Sequence, residues 1–245
     1  MIALSLLQVE PTTRCNLNCT YCTKKEPIRD LSVDTLTTIL DRHPKIKLLK
    51  LQGLGEPFLA PNIVELCKTA KESGMYVMTI TNGTCINYAA VEYIDRVMFS
   101  IDFLDPDKYN AMRPDANWHF VMGELHNVGD ITGVGVNQVI THLTTKDDIE
   151  DMRSFTMQFG YALSQPRIEN WGMDADDIVT HERTMHGKVE RREPTCAWGH
   201  TMFYYDALGR PHPCCIRMND CFVIEDIDFF VKNRSNSKIC MRCPD

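Results

Sequence analysis

The sequence predicts an α/β fold, and three observations predict it. Short apolar, β-branched runs recur from Leu6 onward, each is followed by a stretch of helical period, and Pro, Gly, Asn or Asp punctuates the joints. Strands separated by helices are joined by crossovers, so they lie parallel, either as an open sheet or as a barrel. Both architectures put the ligand site at the C-terminal ends of the strands.

In order, Leu6–Glu10 reads as the first strand, stopped by Pro11. Ser32 caps a helix to about Arg42, with Asp34 in its first turn. Lys47–Gln52 is the second strand and Asn62–Ser73 a helix ended by Gly74; Tyr76–Thr81 is the third strand, turned by Asn82-Gly83. A short helix over Tyr88–Ile94 leads to the fourth strand, Arg96–Ile101. Asp105-Pro106 opens a helix of about two turns, and another is predicted around Trp118–Val128. Val134–His142 is the fifth strand, Lys146–Phe159 a helix and Arg167–Trp171 the sixth strand. The charged stretch Thr180–Pro194 leads to a hairpin, Met202–Asp206 with Pro211–Ile216, and a last helix over Phe222–Asn233.

Composition narrows the function classes. The 245 residues are 44% hydrophobic and 24% charged, with only 13 Gly and 12 Pro, which excludes a disordered or fibrous chain. No apolar stretch reaches the roughly 18 residues of a membrane span, and the first residues lack the basic region of a signal peptide. With 26 basic against 33 acidic residues the formal charge is -7, so no basic footprint for nucleic acid is present. Eleven cysteines without a secretory signal point to metal in a reducing cytoplasm rather than to disulfides.

The cysteines form two groups. Cys15, Cys19 and Cys22 follow the first strand; Cys196, Cys214, Cys215, Cys221, Cys240 and Cys243 lie near the C-terminal end, with none between Cys85 and Cys196. Three soft thiolates in one loop suit an iron–sulfur cluster with one open position, or a zinc site completed by a distant His or Cys. Gly53-Leu54-Gly55-Glu56-Pro57 follows the second strand, Thr81-Asn82-Gly83 ends the third, and Ser100-Ile101-Asp102 ends the fourth. Each alone reads as an ordinary turn or cap. Their order at successive strand ends sets them apart.

Together, C-x3-C-x2-C with Tyr21 before its last cysteine, and these strand-end motifs, resemble the radical S-adenosylmethionine (radical SAM) superfamily over roughly residues 6–172. The two glycines before Glu56 are split by Leu54, where the family has a Gly-Gly pair. The resemblance implies a partial (β/α)6 TIM-type barrel over residues 1–180. It also implies a [4Fe–4S] cluster on Cys15, Cys19 and Cys22, whose open iron takes the methionine part of SAM. Tyr21, Gly53, Gly55, Glu56, Pro57, Thr81, Asn82, Ser100 and Asp102 become cofactor-binding candidates.

Cys196, Gly209, Cys214 and the final Cys240-Met-Arg-Cys243 resemble the twitch and SPASM extensions of that superfamily. Residues 181–245 are then a twitch domain of β-hairpin and helix, holding one auxiliary [4Fe–4S] cluster on Cys196, Cys214, Cys240 and Cys243. Zinc suits four thiolates equally by ligand type. Cys215 and Cys221 are spare, Cys67 belongs to the core, and Cys85 faces the site side.

The resemblance implies cleavage of SAM to a 5′-deoxyadenosyl radical, hydrogen-atom abstraction, and a two-electron oxidation with the auxiliary cluster as electron acceptor. A proton acceptor is needed, and Asp102, His142 and Glu169 are the candidates. Asp102 is equally a ribose holder and His142 equally a structural residue, while Arg113 resembles the arginine that orients ligand after the fourth strand. With the first strand near residue 6, no N-terminal peptide-recognition domain is expected. The layout resembles that of 2-deoxy-scyllo-inosamine dehydrogenases, which implies a small hydroxylated substrate. A peptide recognised through a separate protein is the alternative. Flavodoxin or ferredoxin is the implied reductant. A non-catalytic zinc or iron–sulfur module explains the cysteines but not the strand-end motifs.

Overall fold

The computed structural model describes residues 6–22, 27–166, 202–212 and Ile224. The strands are β1 (Leu6–Val9), β2 (Leu48–Leu51), β3 (Tyr76–Thr81), β4 (Arg96–Ser100), β5 (Gly133–Asn137), β6 (Ala162–Ser164), β7 (Met202–Tyr205) and β8 (Pro211–His212). The helices are α1 (Val33–Arg42), α2 (Ile63–Glu72), α3 (Tyr88–Val91), α4 (Pro106–Met112), α5 (Trp118–Gly129) and α6 (Lys146–Phe159).

Local chemistry sets the helix ends. Ser32 accepts from Thr35 N at the start of α1, and Asp105 does the same for Lys108 N ahead of Pro106 in α4. Thr145 and Asp148 form a capping box on α6, and Gly160 closes it at φ 69°. Apolar residues at helical spacing point inward: Leu36, Ile39 and Leu40 from α1, and Ile63, Leu66, Cys67 and Ala70 from α2.

The strands form one sheet in the order β6-β5-β4-β3-β2-β1-β7-β8, parallel throughout except for the β7–β8 hairpin. Because β1 to β6 stand in chain order, each crossover adds its strand on the same side. Right-handed crossovers then place the helices on one face. This is the winding of a (β/α) barrel, and among the described residues β6 and β8 are the outer strands of an open ring: the partial barrel that was expected.

The pleat separates two faces. Leu7, Val9, Leu49, Leu51, Val77, Val97, Phe99, Val134 and Val136 pack with the helices in a single core. The alternating positions, among them Gln8, Lys50, Ser100, Asn137 and Tyr204, fall on the helix-free face. At the C-terminal edge Glu10 and Asp102 are buried as well.

Two strand assignments differ from expectation. The sixth strand is Ala162–Ser164, pairing Ala162 with Gly135, because Gly160 ends α6 and Tyr161 N returns to Thr156 O. The predicted strand at Arg167–Trp171 lies outside the described residues. β5 stops at Asn137, after which Val139 N donates to the Asp102 carboxylate. Of the C-terminal part, the hairpin forms as far as His212, the rest of its second arm lying outside the described residues, and β7 joins the sheet beside β1, with Leu7 opposite Phe203. The predicted helix over Phe222–Asn233 lies outside the described residues except for Ile224.

Candidate cofactor site

The loop after β1 is pinned at its base. Thr12 bridges to Asp30; the Thr12 hydroxyl donates to its carboxylate at 2.6 Å, and Arg14 pairs with it at 2.8 Å. Arg14 holds the Asp30 carboxyl below its ordinary range. Farther along, Thr20 N donates to Met112 O at 3.0 Å, and Cys22 N to Cys19 O at 3.0 Å. Cys15, Cys19 and Cys22, all half-buried, therefore sit in one loop tied to the end of α4.

Arg113 closes α4 and is 5% exposed. Its Nε donates to Asp102 Oδ2 at 2.8 Å, Nη1 to Cys19 Sγ at 3.6 Å, and Nη2 to the Tyr21 hydroxyl. Tyr21 also donates to Asp102 at 3.2 Å. Burial works against the Arg113 charge, but Asp102 beside it holds the guanidinium well above its usual value. Asp102 is fully enclosed, accepting on its other oxygen from Val139 N at 3.1 Å. Asp102, Arg113 and Tyr21, read as separate ligand contacts from the sequence, form one knot behind Cys19.

Glu56 is similarly engaged. Its Oε1 accepts from Phe58 N at 3.1 Å and the Thr81 hydroxyl at 2.8 Å, and Oε2 accepts from Asn82 N at 2.7 Å. This joins the β2 loop to the end of β3, with Pro57 starting a 3-10 turn. Burial raises the Glu56 carboxyl from 4.5 to about 7, with the Asn82 amide opposing. With one donor, Oε2 keeps a lone pair for a ligand. Gly55 has no room for a side chain: a Cβ would stand 2.1 Å from Thr12 O and 2.7 Å from Arg14 O. Glu56 N donates to Arg14 O at 2.6 Å, so this loop lies directly on the cysteine loop.

Asn82 bridges the two parts. Its Nδ2 donates to Asn16 Oδ1 at 3.0 Å and reaches Cys15 Sγ at 4.0 Å. Asn16 in turn donates to Thr84 at 2.8 Å. Half-buried Ser100 ends β4 opposite Asn137. His142 is exposed, beyond the end of β5. Cys67 is a core residue, and burial pushes the half-buried Cys85 thiol up to about 12, where it stays protonated. Glu169, Cys196, Cys214, Cys215, Cys221, Cys240 and Cys243 lie outside the described residues.

The donor set fits an iron–sulfur cluster. Burial raises the Cys19 thiol, Arg113 opposes, and Cys22 and Cys15 add further repulsion, so a trio of thiolates here calls for cationic charge between them. The Arg113 and Asn82 N–H groups aimed at Cys19 and Cys15 supply the outer-sphere donors that cluster sulfurs accept. Among the described residues no three of His, Cys, Asp or Glu close round one ion; a cubane takes its thiolates on separate irons.

Sequence reasoning missed Glu10, a buried carboxylate whose Oε1 accepts from Leu54 N at 2.6 Å, and Asn16. Glu10 belongs to no recognisable motif, and Asn16 holds a variable position within C-x3-C.

The sequence pattern of the Radical SAM superfamily matches residues 9–156. A tungsten-containing aldehyde ferredoxin oxidoreductase cofactor-modifying protein of Pyrococcus furiosus is 30% identical over 112 residues, covering 41% of this chain and 32% of that protein. A GTP 3′,8-cyclase of Sinorhizobium medicae is 29% identical over 203 residues, covering 75% and 56%. The chain thus spans about a third of the first protein and just over half of the second. Among solved structures, SuiB of Streptococcus suis bound to S-adenosylmethionine superposes with a TM-score of 0.73 at 14% identity, over 98% of this chain and 65% of SuiB. SuiB has also been solved with its precursor peptide SuiA. BtrN, in complex with AdoMet and 2-DOIA, superposes at 0.53 with 15% identity, over 97% and 84%. With strand-end motifs, winding and sequence pattern in agreement, the chain belongs to the radical SAM superfamily.

Proposed function

We propose that this chain is a radical SAM oxidoreductase with two [4Fe–4S] clusters. Cys15, Cys19 and Cys22 hold the SAM-binding cluster; Cys196, Cys214, Cys240 and Cys243 hold an auxiliary one in a twitch, or SPASM-like, extension over residues 181–245. When bound, these groups supply reductive cleavage of SAM and abstraction of a hydrogen atom from the substrate. The observation that carries the oxidative reading is the C-terminal cysteine set: four thiolates saturate a cluster, leaving it an electron acceptor rather than a substrate site. The substrate then gives up one hydrogen atom, one proton and one electron, a dehydrogenation.

The chain's own residues position the parts. Glu56 Oε2, the Gly53–Pro57 loop and Asn82 meet the methionine end of SAM, while Ser100 faces the helix-free side where substrate lies. Arg113, Tyr21 and Asp102 hold the loop behind Cys19, which leaves His142 and Glu169 as the proton-acceptor candidates among those read from the sequence. A small hydroxylated substrate is supported by the fold likeness to BtrN with 2-DOIA. A flavodoxin or ferredoxin in a reducing cytoplasm is the reductant. Among the described residues no helix is long and apolar enough to cross a membrane.

The likeness to SuiB favours a second reading, in which the oxidised or cross-linked substrate is a peptide. The decisive experiment is anaerobic reconstitution of wild type and the Cys15→Ala/Cys19→Ala/Cys22→Ala variant, with iron and sulfide counts and a 5′-deoxyadenosine assay after reduction. About eight irons in the wild type and about four in the variant, with deoxyadenosine from the wild type alone, are expected. Zinc at the C-terminal cysteines would remove the electron acceptor and the dehydrogenase reading with it. Incubation with GTP tests the activity named for the cyclase relatives.

A further inference from the structure

Glu10 follows β1 on the helix-free side and is 3% exposed. Its partners come from two segments far apart in the chain. Leu54 N donates to Oε1 at 2.6 Å, from the loop after β2. From the β7–β8 hairpin the Ala207 amide stabilises the same carboxylate. The backbone repeats the link, since Glu10 N donates to Tyr205 O at 2.9 Å. Gly53 is moulded to this side chain: a Cβ there would lie 2.1 Å from Glu10 Oε1 and 2.3 Å from its Cγ.

The charged and titratable neighbours are few. Asp206, opposite Gln52's side of the strand, repels Glu10 and is itself held by Arg210 at 2.7 Å and His212 at 3.1 Å. Tyr204 faces it from β7, and Lys50 stands on the same face of β2, opposite Gln8. Burial raises the Glu10 carboxyl to about 7, the Leu54 and Ala207 amides opposing. Removing the carboxylate would strand buried backbone donors on both segments at once.

We propose that Glu10 is a positioning residue that ties the Gly53–Pro57 loop to the β7–β8 hairpin, so that order in the hairpin is transmitted to the loop that meets SAM. The transmission rests on the cofactor role proposed above for that loop; the tie itself does not.

The test is amide hydrogen exchange at Leu54 and Ala207 in the full chain, with α5 amides as internal reference. Glu10→Ala is expected to speed both amides by roughly tenfold or more while α5 is unchanged. Glu10→Gln, which keeps one acceptor oxygen, recovers part of that protection. In wild type, the protection factors of both amides fall together as pH rises through about 7, where the buried carboxyl ionises, and in Glu10→Gln they do not. Acceleration of one amide without the other, or of neither, overturns the tie. If Glu10→Ala does not fold, the wild-type pH series and Glu10→Gln decide. In the reconstituted enzyme KM for SAM rises severalfold with kcat little changed; an unchanged KM with coupled exchange would count against the cofactor role of the loop instead.

Discussion

Glu56 makes a quantitative prediction about stability. Its folded value of about 7 against the ordinary 4.5, at about 1.4 kcal/mol per pH unit, amounts to about 3.5 kcal/mol. The sign follows from linkage. The folded state binds the proton more tightly than the unfolded chain, so the stabilisation is complete below about 4.5 and is lost as pH rises through about 7. Glu56→Gln has no proton to lose. Its amide oxygen can still accept from Phe58 N and Thr81, but its NH2 group meets Asn82 N–H, donor against donor, at about 1–3 kcal/mol. The variant should therefore be the less stable protein at pH 5, and should draw level with or pass the wild type at pH 8. Anaerobic urea unfolding at the two pH values, with matched m-values, measures the difference. Wild-type and variant curves that stay parallel between pH 5 and pH 8 would refute the buried, raised carboxyl.

Three further outcomes follow from the geometry. Arg113→Met leaves Asp102 buried and unpaired and should cost about 3–5 kcal/mol in urea unfolding, whereas Arg113→Lys should cost less but lose the contacts to Tyr21 and Cys19. Gly55→Ala should destabilise by about 3 kcal/mol and Gly53→Ala by nearer 1 kcal/mol, because the first clash is with Thr12 backbone and the second with the Glu10 side chain; thermal unfolding ranks them. Cys67→Ala should leave iron content unchanged and lower only stability, since Cys67 lies wholly within the core, and an iron assay beside a melting curve separates the two effects.

The regular elements were legible because each carries its own local signal. An apolar, β-branched run marked Tyr76–Thr81, and helical period marked Lys146–Phe159, both with the observed bounds. β6 was not, since Ala-Leu-Ser lacks β-branching and is a strand only because β5 lies beside it. The strand-end motifs located the site, but not who holds whom. Asp102 at a strand end reads as a proton acceptor or ribose holder; only the fold brings Arg113 and Tyr21 onto it and encloses it. Glu10 was illegible for a related reason: its partners, Leu54 and Ala207, stand 44 and 197 residues away, and no local pattern announces a contact of that range.

The position of β7 bears on how the molecule is made. β1 is an interior strand, flanked by β2 on one side and β7 on the other, yet its second neighbour ends at Tyr205. During synthesis at about 5–20 residues per second, that edge of β1 waits about 10–40 s for its partner. Until then Leu6, Leu7 and Val9 belong to a strand with one row of backbone groups unpaired, the kind of edge on which nascent chains aggregate. The cysteine loop hangs from this same strand. Metal delivered before β7 docks would meet a loop whose root is still unfinished.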